Sequence, residues 1–329
     1  MVSKKELGLL LLILLIGGIT GLINPLFLSP VNIGNLANLV GLYGVFSIGA
    51  GLVIISGGID LSVGSMFALL GVVLIYLLVD LAVPWPLAVL MILLAGIILG
   101  AIQGFLVTKA RVQPFVVTLC GLLIYRGLAR YITADASMGF SYGDDFDTLS
   151  NLASGRLMGV PHTLILLIGI ALVMGVVVHK SVFGRYLYAV GKNEEAARFS
   201  GIRTGSVIAG AYILSGLLAA VTTILLVFYT NSVVPSSFGS FYELYGIAAA
   251  VLGGCSLRGG EGSIVGILLG TILLQVLQNL VNILGIPSSL NFAVMGTVIL
   301  VGVLADQALQ TRRTLVFTKP RKVPGPVPS

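Results

Sequence analysis

The stretch PLAVLMILLAGIILGAIQGFLV, residues 86–107, carries no charged side chain. A helix that crosses the hydrocarbon layer of a membrane needs about 20 mostly apolar residues, so this stretch is long enough to span a bilayer. Comparable apolar runs recur along the whole chain. Together they predict ten membrane-spanning segments, at residues 7–29, 36–55, 65–83, 86–107, 114–133, 161–179, 207–229, 242–257, 264–284 and 289–308.

The composition indicates a protein that is embedded in lipid. The chain is 57% hydrophobic and 9% charged, with a mean hydropathy of +1.10, whereas soluble domains are about a quarter charged. A spanning segment must satisfy its own backbone hydrogen bonds, and these runs are about twice as long as the strands of a membrane barrel. We therefore expect an all-α integral membrane protein with about ten transmembrane helices.

Positive charge is concentrated on one side of this predicted topology. If Lys4 and Lys5 are inside and ten spans alternate, 15 of the 18 basic residues fall inside, as lysine and arginine do in cytoplasmic loops. Both termini are then expected in the cytoplasm, with the first run as an uncleaved anchor. The net charge of +6 reflects topology and does not indicate a nucleic-acid partner. The other inside residues are Lys109, Arg111, Lys180, Arg185, Lys192, Arg198, Arg203, Arg258, Arg312, Arg313, Lys319, Arg321 and Lys322, and the outside acids are Asp80, Asp135, Asp144, Asp145 and Asp147.

The sequence contains no pattern typical of an active site or a metal site. There is no nucleotide-binding loop of the GxxxxGK[ST] type, and neither His162 nor His179 has partners at ligand spacing. Cys120 and Cys255 are interpreted as buried free thiols. We expect no enzymatic activity, cofactor or metal. If the protein performs energy-dependent work, the energy must come from an ion gradient or a partner.

The acidic residues of the apolar runs bear on that choice. Asp60, Glu243 and Asp306 all fall near the ends of predicted spans, whereas coupling to protons usually requires carboxylates inside the membrane. Their placement disfavours a gradient-driven carrier.

Four amide side chains share one face of the predicted ninth span. Spacing by three and four residues brings them to the same side of a helix, and the leucines Leu273 and Leu280 are expected to face lipid. The face either hydrogen-bonds to other helices or lines a hydrated pathway for a polyhydroxylated solute. Its members are Gln275, Gln278, Asn279 and Asn282.

Two glycine-rich strings interrupt the apolar pattern, SGGIDLSVGS at residues 56–65 and LGGCSLRGGEGS at residues 252–263. Irregular backbone at membrane depth occurs only where protein or a cavity shields it, and paired interruptions in two halves indicate an internal duplication and a transport pathway. Asp60 and Ser62 are therefore candidate pathway residues, although Asp60 can equally serve as a helix cap.

Other polar and small residues of the spans have simpler interpretations. The ladders Gly96–Gly100–Gly104 and Gly262–Gly266–Gly270 predict close helix packing. Arg126 and Arg130 are expected to extend into the lipid headgroups, the alternative being that they dock an acidic partner outside the membrane.

The longest predicted inside loop, residues 180–206, contains the segment NEEAARF at residues 193–199. Asn193 can cap a helix, acids occupy its first turn, and Gly201 would end it. The segment therefore predicts a short helix outside the membrane. This helix is either a solvated connector or a surface that fits a groove on a cytoplasmic partner.

The chain resembles the permease subunits of bacterial ABC importers for ribose and related monosaccharides. The resemblance covers most of residues 35–306 and rests on the order and spacing of several strings. They are GGIDLSVGS (57–65), VQPFVVTL (112–119), GRYLYAVGKNEEAARFSGI (184–202), YELYGIAAAVLGG (242–254) and GSIVGILLG (262–270).

The resemblance implies ten helices in the inner membrane and a pathway formed with a second permease, identical or a sister chain. It also implies an ABC ATPase subunit docked in the cytoplasm and a periplasmic sugar-binding protein outside. By position, the ATPase-coupling helix would comprise Asn193, Glu194, Glu195, Ala196, Ala197 and Arg198. Related permeases carry nucleosides or other furanoses, and a self-contained channel or gradient-driven carrier is the competing class.

The predicted domain organisation is a permease domain over residues 1–310 and a cytoplasmic tail over residues 311–329. The tail ends in VPGPVPS, and its composition predicts disorder.

Overall fold

The computed structural model describes residues 4–141 and 146–287, together with residues 290, 293, 294, 296, 297 and 300. Within these residues, eight helices are long and apolar enough to cross a membrane. They are α1 (Lys4–Ile23), α2 (Pro30–Ile55), α3 (Val63–Ile75, continued by a π turn to Asp80), α4 (Trp85–Thr108), α5 (Pro114–Ile132), α7 (His162–His179), α10 (Thr204–Thr230) and α12 (Ile264–Ile283).

Shorter elements connect the long helices. Four are α-helices: α6 (Asp147–Ser154), α8 (Val182–Lys192), α9 (Glu194–Phe199) and α11 (Tyr242–Leu252). A short 3-10 helix, Pro25–Leu28, joins α1 to α2. Two antiparallel pairs of two-residue strands, which the all-α prediction did not include, join β1 (Met138–Gly139) to β4 (Ser232–Val233) and β2 (Arg156–Leu157) to β3 (Val160–Pro161).

The long helices form a buried centre and an exposed ring. Most residues of α2, α3, α10 and α12 are buried, whereas only 22–28% of the residues of α1, α4, α5 and α7 are buried. Leu22 on α1 and Leu123 on α5 are 87% and 64% exposed. A continuous apolar exterior of this kind is stable only when lipid or another protein covers it.

The glycine ladders pack helices together, as the sequence predicts. On α4, a Cβ at Gly96 would collide with the carbonyl of Gly216, and one at Gly100 with the carbonyl of Tyr212, both on α10. On α12, a Cβ at Gly270 would collide with the carbonyl of Ala249 on α11. Small residues thus let these backbones approach each other closely.

Contacts between loops define two ends of the molecule. At one end, which we call the basic end, the N–H of Gly260 donates to the carbonyl of Ile55 at 2.9 Å, and Lys192 pairs with Glu261. At the opposite end β1 pairs with β4. Loops 56–62, 180–203 and 253–263 therefore meet at the basic end, and successive long helices run in opposite directions.

Helices α3 and α11 begin between these two ends. Ile55 lies at the basic end, and Thr230 at the opposite end. Even so, a Cβ on Gly64, at the start of α3, would collide with the carbonyl of Gly239 and the carboxylate of Glu243, at the start of α11. The connections that precede α3 and α11, residues 56–62 and 231–241, must therefore enter the helix bundle from opposite ends.

The contacts of residues 231–241 support this path. Val233 lies beside Gly71 and Gly239 lies beside Gly64, so the segment runs back along α3 over about two helical turns, roughly 10 Å. The prediction that residues 242–257 form a full membrane span was therefore wrong. Helix α11 has 11 residues, about 16 Å, which is half of a hydrocarbon layer.

The order α2, break, α3, α4 is repeated upside down as α10, break, α11, α12. The helix before each break contacts the helix that follows the break in the other set, α2 with α11 and α10 with α3. In this inverted repeat, residues 56–62 occupy the position that corresponds to residues 231–241. The predicted pairing of 56–65 with 252–263 was wrong, because residues 253–263 connect α11 to α12 at the basic end and do not re-enter the bundle.

Two predictions lie outside the described residues. Most of the tenth predicted span, residues 289–308, falls there, so the count of ten remains a prediction. The predicted tail over residues 311–329 also falls there, as do Asp144, Asp145, Asp306 and the five basic residues from Arg312 onward.

Candidate functional site

The starts of α3 and α11 meet at a contact that we call the junction, formed by residues 59–64 and 234–243. Its depth follows from Ser215, whose hydroxyl lies 3.5 Å from Asp60 Oδ2. Ser215 is near the middle of the 27-residue helix α10, about 17 Å from the start of that helix at 1.5 Å per residue. The junction therefore lies near the centre of the bundle.

Asp60 stabilises the turn that leads into α3. Its Oδ1 accepts hydrogen bonds from the backbone N–H of Ser62 at 2.9 Å and from the Ser62 hydroxyl at 2.7 Å. Both residues are buried, Asp60 being 3% exposed and Ser62 fully covered. This geometry is an Asx turn directly before the helix, which is close to the capping role that the sequence suggested.

Neighbouring helices hold the same segment through polar side chains. Gln103 on α4 donates to the Ser62 hydroxyl, and Thr118 on α5 donates to the carbonyl of Ile59 at 3.2 Å. Tyr212 on α10 approaches that carbonyl at 3.5 Å. The segment that precedes α3, residues 56–62, is thereby hydrogen-bonded to α4, α5 and α10.

Arg126 on α5 holds the other non-helical segment, residues 231–241, in a similar way. Its Nη1 donates to the carbonyls of Pro235 at 2.9 Å and Phe238 at 2.7 Å, and Nη2 lies 3.5 Å from the carbonyl of Gly64. The expectation that Arg126 extends into headgroups was wrong, because the carbonyls of Pro235 and Phe238 provide closer partners. Only Arg130 remains at the surface, paired with Asp135.

Two acidic residues, Asp60 and Glu243, lie deeper in the protein than the sequence predicts. Asp60 and Glu243 do lie at helix ends, as predicted, but these helix ends are inside the bundle. Glu243 is 9% exposed and lies beside Gly64. Their predicted location near the membrane surface was wrong, since α3 and α11 begin inside the bundle.

The amide face of α12 divides between packing and exposure. Asn279 and Asn32 exchange two hydrogen bonds, at 3.0 and 2.8 Å, which is the interhelical bonding that the sequence allowed. Gln275 is buried at 2% exposure, Gln278 is half-buried, and Asn282 is exposed. A solute could therefore contact the face only near the end of α12 in this conformation.

Leu273 does not face lipid. It is 1% exposed and packs with Ile13, Phe27 and Val276. Helix α1 covers this side of α12, which spacing within α12 alone could not indicate. Leu280 is half-buried.

The predicted surface helix is present at the basic end as α9, Glu194–Phe199. The Asn193 side chain accepts from the N–H of Ala196 at 2.9 Å, and the chain leaves the helix at Gly201, where φ is +83°. Ala197 is buried and anchors the helix. These features confirm the helix and both of its predicted boundary signals.

Helix α9 presents a mixed surface outward. Glu195 and Arg198 are exposed, and Phe199 is 86% exposed. Glu194 instead accepts a hydrogen bond from Thr204 at 3.1 Å, which fixes α9 to the start of α10. A cavity of about 390 Å³ beside it is lined by Phe183, Tyr186, Gly201, Ile202, Arg203, Ser206 and Val207.

The cysteines and histidines form no metal site in the part of the chain that the structure describes. Cys255 is buried and free, and burial raises the pKa of its thiol to about 12. Cys120 is exposed on α5, so its predicted burial was wrong. His162 contacts the carbonyl of Asn151 through Nδ1 at 2.8 Å.

A family model described as "Branched-chain amino acid transport system / permease component" matches residues 32–303. The matched range includes the junction, α9 and the amide face. The chain belongs to this permease family. The eight long apolar helices within its described residues then make it a multi-pass membrane protein, and no solved structure matches it.

Similar proteins span nearly the same length. The ribose import permease of Bacillus subtilis is 38% identical over 304 residues, 92% of this chain and 91% of that protein. A probable ABC transporter permease of Sinorhizobium fredii is 41% identical over 276 residues, 83% of this chain and 80% of the relative. The xylose transport system permease of Escherichia coli is 32% identical, with 87% of each chain covered. The resemblance to monosaccharide ABC permeases is thus confirmed.

We expect Arg126→Gln to destabilise the protein, because the carbonyls of Pro235 and Phe238 lose a charged donor. Losing a buried hydrogen bond to a charged group costs about 1–3 kcal/mol, so the melting temperature of the purified protein in detergent should fall by several degrees. Arg130→Gln is the matched control and should change it less, since the Arg130–Asp135 pair is exposed. Equal effects of the two variants would contradict this role.

Proposed function

We propose that this chain is the membrane-spanning permease subunit of an ATP-driven importer that carries a ribose-like monosaccharide across the inner membrane. The observation that supports this most strongly is the 38% identity to a ribose import permease over nearly the whole of both chains. The family description mentions branched-chain amino acids, but the ribose and xylose permeases favour a pentose-like sugar.

The basic end is proposed to face the cytoplasm. Loops 180–203 and 253–263 meet there and contain six of the inside basic residues, as the positive-inside rule requires. The opposite end, with β1 and β4, would then face outward and receive the sugar from a periplasmic binding protein. Lys180, Arg185, Lys192, Arg198, Arg203 and Arg258 are the six.

Helix α9 is proposed as the coupling helix, from its cap Asn193 through Arg198. Its exposed residues Glu195, Arg198 and Phe199 combine both charges with an aromatic ring, a composition suited to a partner groove. The bond between Glu194 and Thr204 would pass its displacement to α10. The partner is the ABC ATPase subunit, so ATP hydrolysis takes place on another chain.

The pathway is proposed to follow the amide face of α12, and to be completed by a second permease. Asn282 and Gln278 would contact the sugar hydroxyls first, and Gln275 and Asn279 would be uncovered as the pathway opens. Asp60 and Ser62 hold the adjoining interrupted segment in place. Rocking of the two permeases against each other would alternate access between the two ends.

A gradient-driven carrier is the second candidate, because Asp60 and Glu243 are buried within the bundle. Intramembrane carboxylates are frequent in proton-coupled transporters. An ABC permease for a nucleoside or another furanose is the closest variant of the main proposal. Sugar uptake into liposomes that contain this chain without any ATPase would support the carrier.

We expect ATP-dependent ribose uptake when this chain is reconstituted with its ATPase and binding protein. Glu195→Ala combined with Arg198→Ala should reduce uptake about ten-fold or more while ATP hydrolysis continues, because the coupling contact is lost. The measurement is the ratio of sugar taken up to ATP hydrolysed in proteoliposomes.

The matched control for this pair is Lys180→Ala with Arg185→Ala, two exposed basic residues on the same loop outside α9. These replacements should leave the ratio unchanged. Normal coupling in the α9 variant would exclude α9 as the coupling helix.

Cysteine labelling tests the pathway. In a Cys120→Ser background, Asn282→Cys should react with a water-soluble maleimide at rest, and Gln275→Cys should react only while ATP is hydrolysed. Leu273→Cys, at a position that is 1% exposed beneath α1, should stay unlabelled in both conditions. Protection of Gln275→Cys throughout turnover would show that the amide face is used only for packing.

A further inference from the structure

Three glycine backbones touch at the basic end: Gly57 after α2, Gly191 in the last turn of α8, and Gly259 in the loop between α11 and α12. A Cβ built on Gly259 would lie 2.9 Å from Gly57 Cα and 3.0 Å from Gly191 Cα. A Cβ on Gly191 would collide with the carbonyl of Ile55. No side chain fits at Gly191 or Gly259, and Gly57 has a φ of +89°, which favours glycine. We call this set the glycine contact.

Hydrogen bonds surround the glycine contact and join the same three segments. Gly260 donates its N–H to the carbonyl of Ile55 at 2.9 Å. The Tyr188 hydroxyl of α8 donates to the carbonyl of Gly262 at 2.8 Å, and Lys192 lies 3.2 Å from Glu261. The end of α8, the end of α2 and the loop before α12 therefore form one packed unit.

This unit lies between α9 and the interior of the bundle. Helix α8 ends at Lys192 and α9 begins at Glu194, with Asn193 as their shared cap, so α9 cannot move far without Gly191. In the other direction, Gly57 leads directly to Asp60 and the junction. Gly259 leads through Ser263 to α12 and its amide face.

We infer that the glycine contact is the joint through which displacement of α9 reaches both the interrupted segment 56–62 and helix α12. Backbone contacts without intervening side chains have no rotamers to absorb a displacement, and packed interiors transmit strain. Gly57, Gly191 and Gly259 are thus positioning residues for transport and do not touch the solute. The inference rests on the proposed role of α9 as the coupling helix.

Gly191→Ala tests the joint in the complete transporter with ATPase and binding protein. The added methyl separates α8 from Ile55, so the ratio of sugar taken up to ATP hydrolysed should fall about five-fold or more, within the range for residues that carry coupling. ATP hydrolysis itself should stay within about two-fold of wild type. An unchanged ratio would overturn the inference.

Gly100→Ala is the steric control. Its Cβ would collide with the carbonyl of Tyr212, which crowds the α4–α10 packing far from α9. It should lower the melting temperature and reduce uptake and hydrolysis together, leaving their ratio unchanged. If Gly191→Ala behaves in this way too, its role is structural and the inference is wrong.

A disulfide provides a second test that does not depend on crowding. Lys192→Cys with Glu261→Cys, in a Cys120→Ser background, should form a disulfide on oxidation. Coupled uptake should persist, because the joint moves as one unit. In the cross-linked protein, loss of uptake that a reductant restores would overturn the inference. Absence of ATP-driven uptake by the unmodified transporter would instead refute the proposed function.

Discussion

In the interior of a bilayer, every peptide N–H and C=O must find its partner within the protein. Two non-helical segments, residues 56–62 and 231–241, place backbone carbonyls there without helical partners. Thr118 and Tyr212 approach the carbonyl of Ile59, and Arg126 donates to Pro235 and Phe238. These donors come from α5 and α10, which pack around the junction. Glycines of α4 allow that helix to pack closely against α10.

Because those carbonyls have hydrogen-bond donors, α3 and α11 can begin inside the bundle, which continuous membrane-spanning helices would not allow. Helices α3 and α11 extend towards opposite ends of the molecule, and their starts meet at Gly64 and Gly239 near the centre of the bundle. Inverted repeats with broken helices are the usual basis of alternating access in transporters. At the basic end, the glycine contact joins the same interrupted segment to α9, so the proposed coupling surface and the junction belong to one connected set of contacts.

Features that depend on local sequence could be predicted, and those that depend on distant partners could not. Apolar length located most spans within a few residues, and Asn193 and Gly201 correctly bounded α9. The re-entrant segment 231–241 lacks long apolar runs and looked like an ordinary loop. Arg126 could not be assigned without the carbonyls of Pro235 and Phe238, nor Leu273 without α1. Helical spacing identified the amide face, but only the partner Asn32 distinguishes its packed residue Asn279 from the exposed Asn282.

The depth of the junction is the central claim, and it can be measured directly. Electron cryomicroscopy of the protein in lipid nanodiscs would show both headgroup layers together with the helices. The contact between Gly64 and Gly239 should lie near the midplane, about 15 Å from each boundary of a hydrocarbon layer that is about 30 Å thick. A contact at the level of either headgroup layer would contradict the inverted, interrupted arrangement.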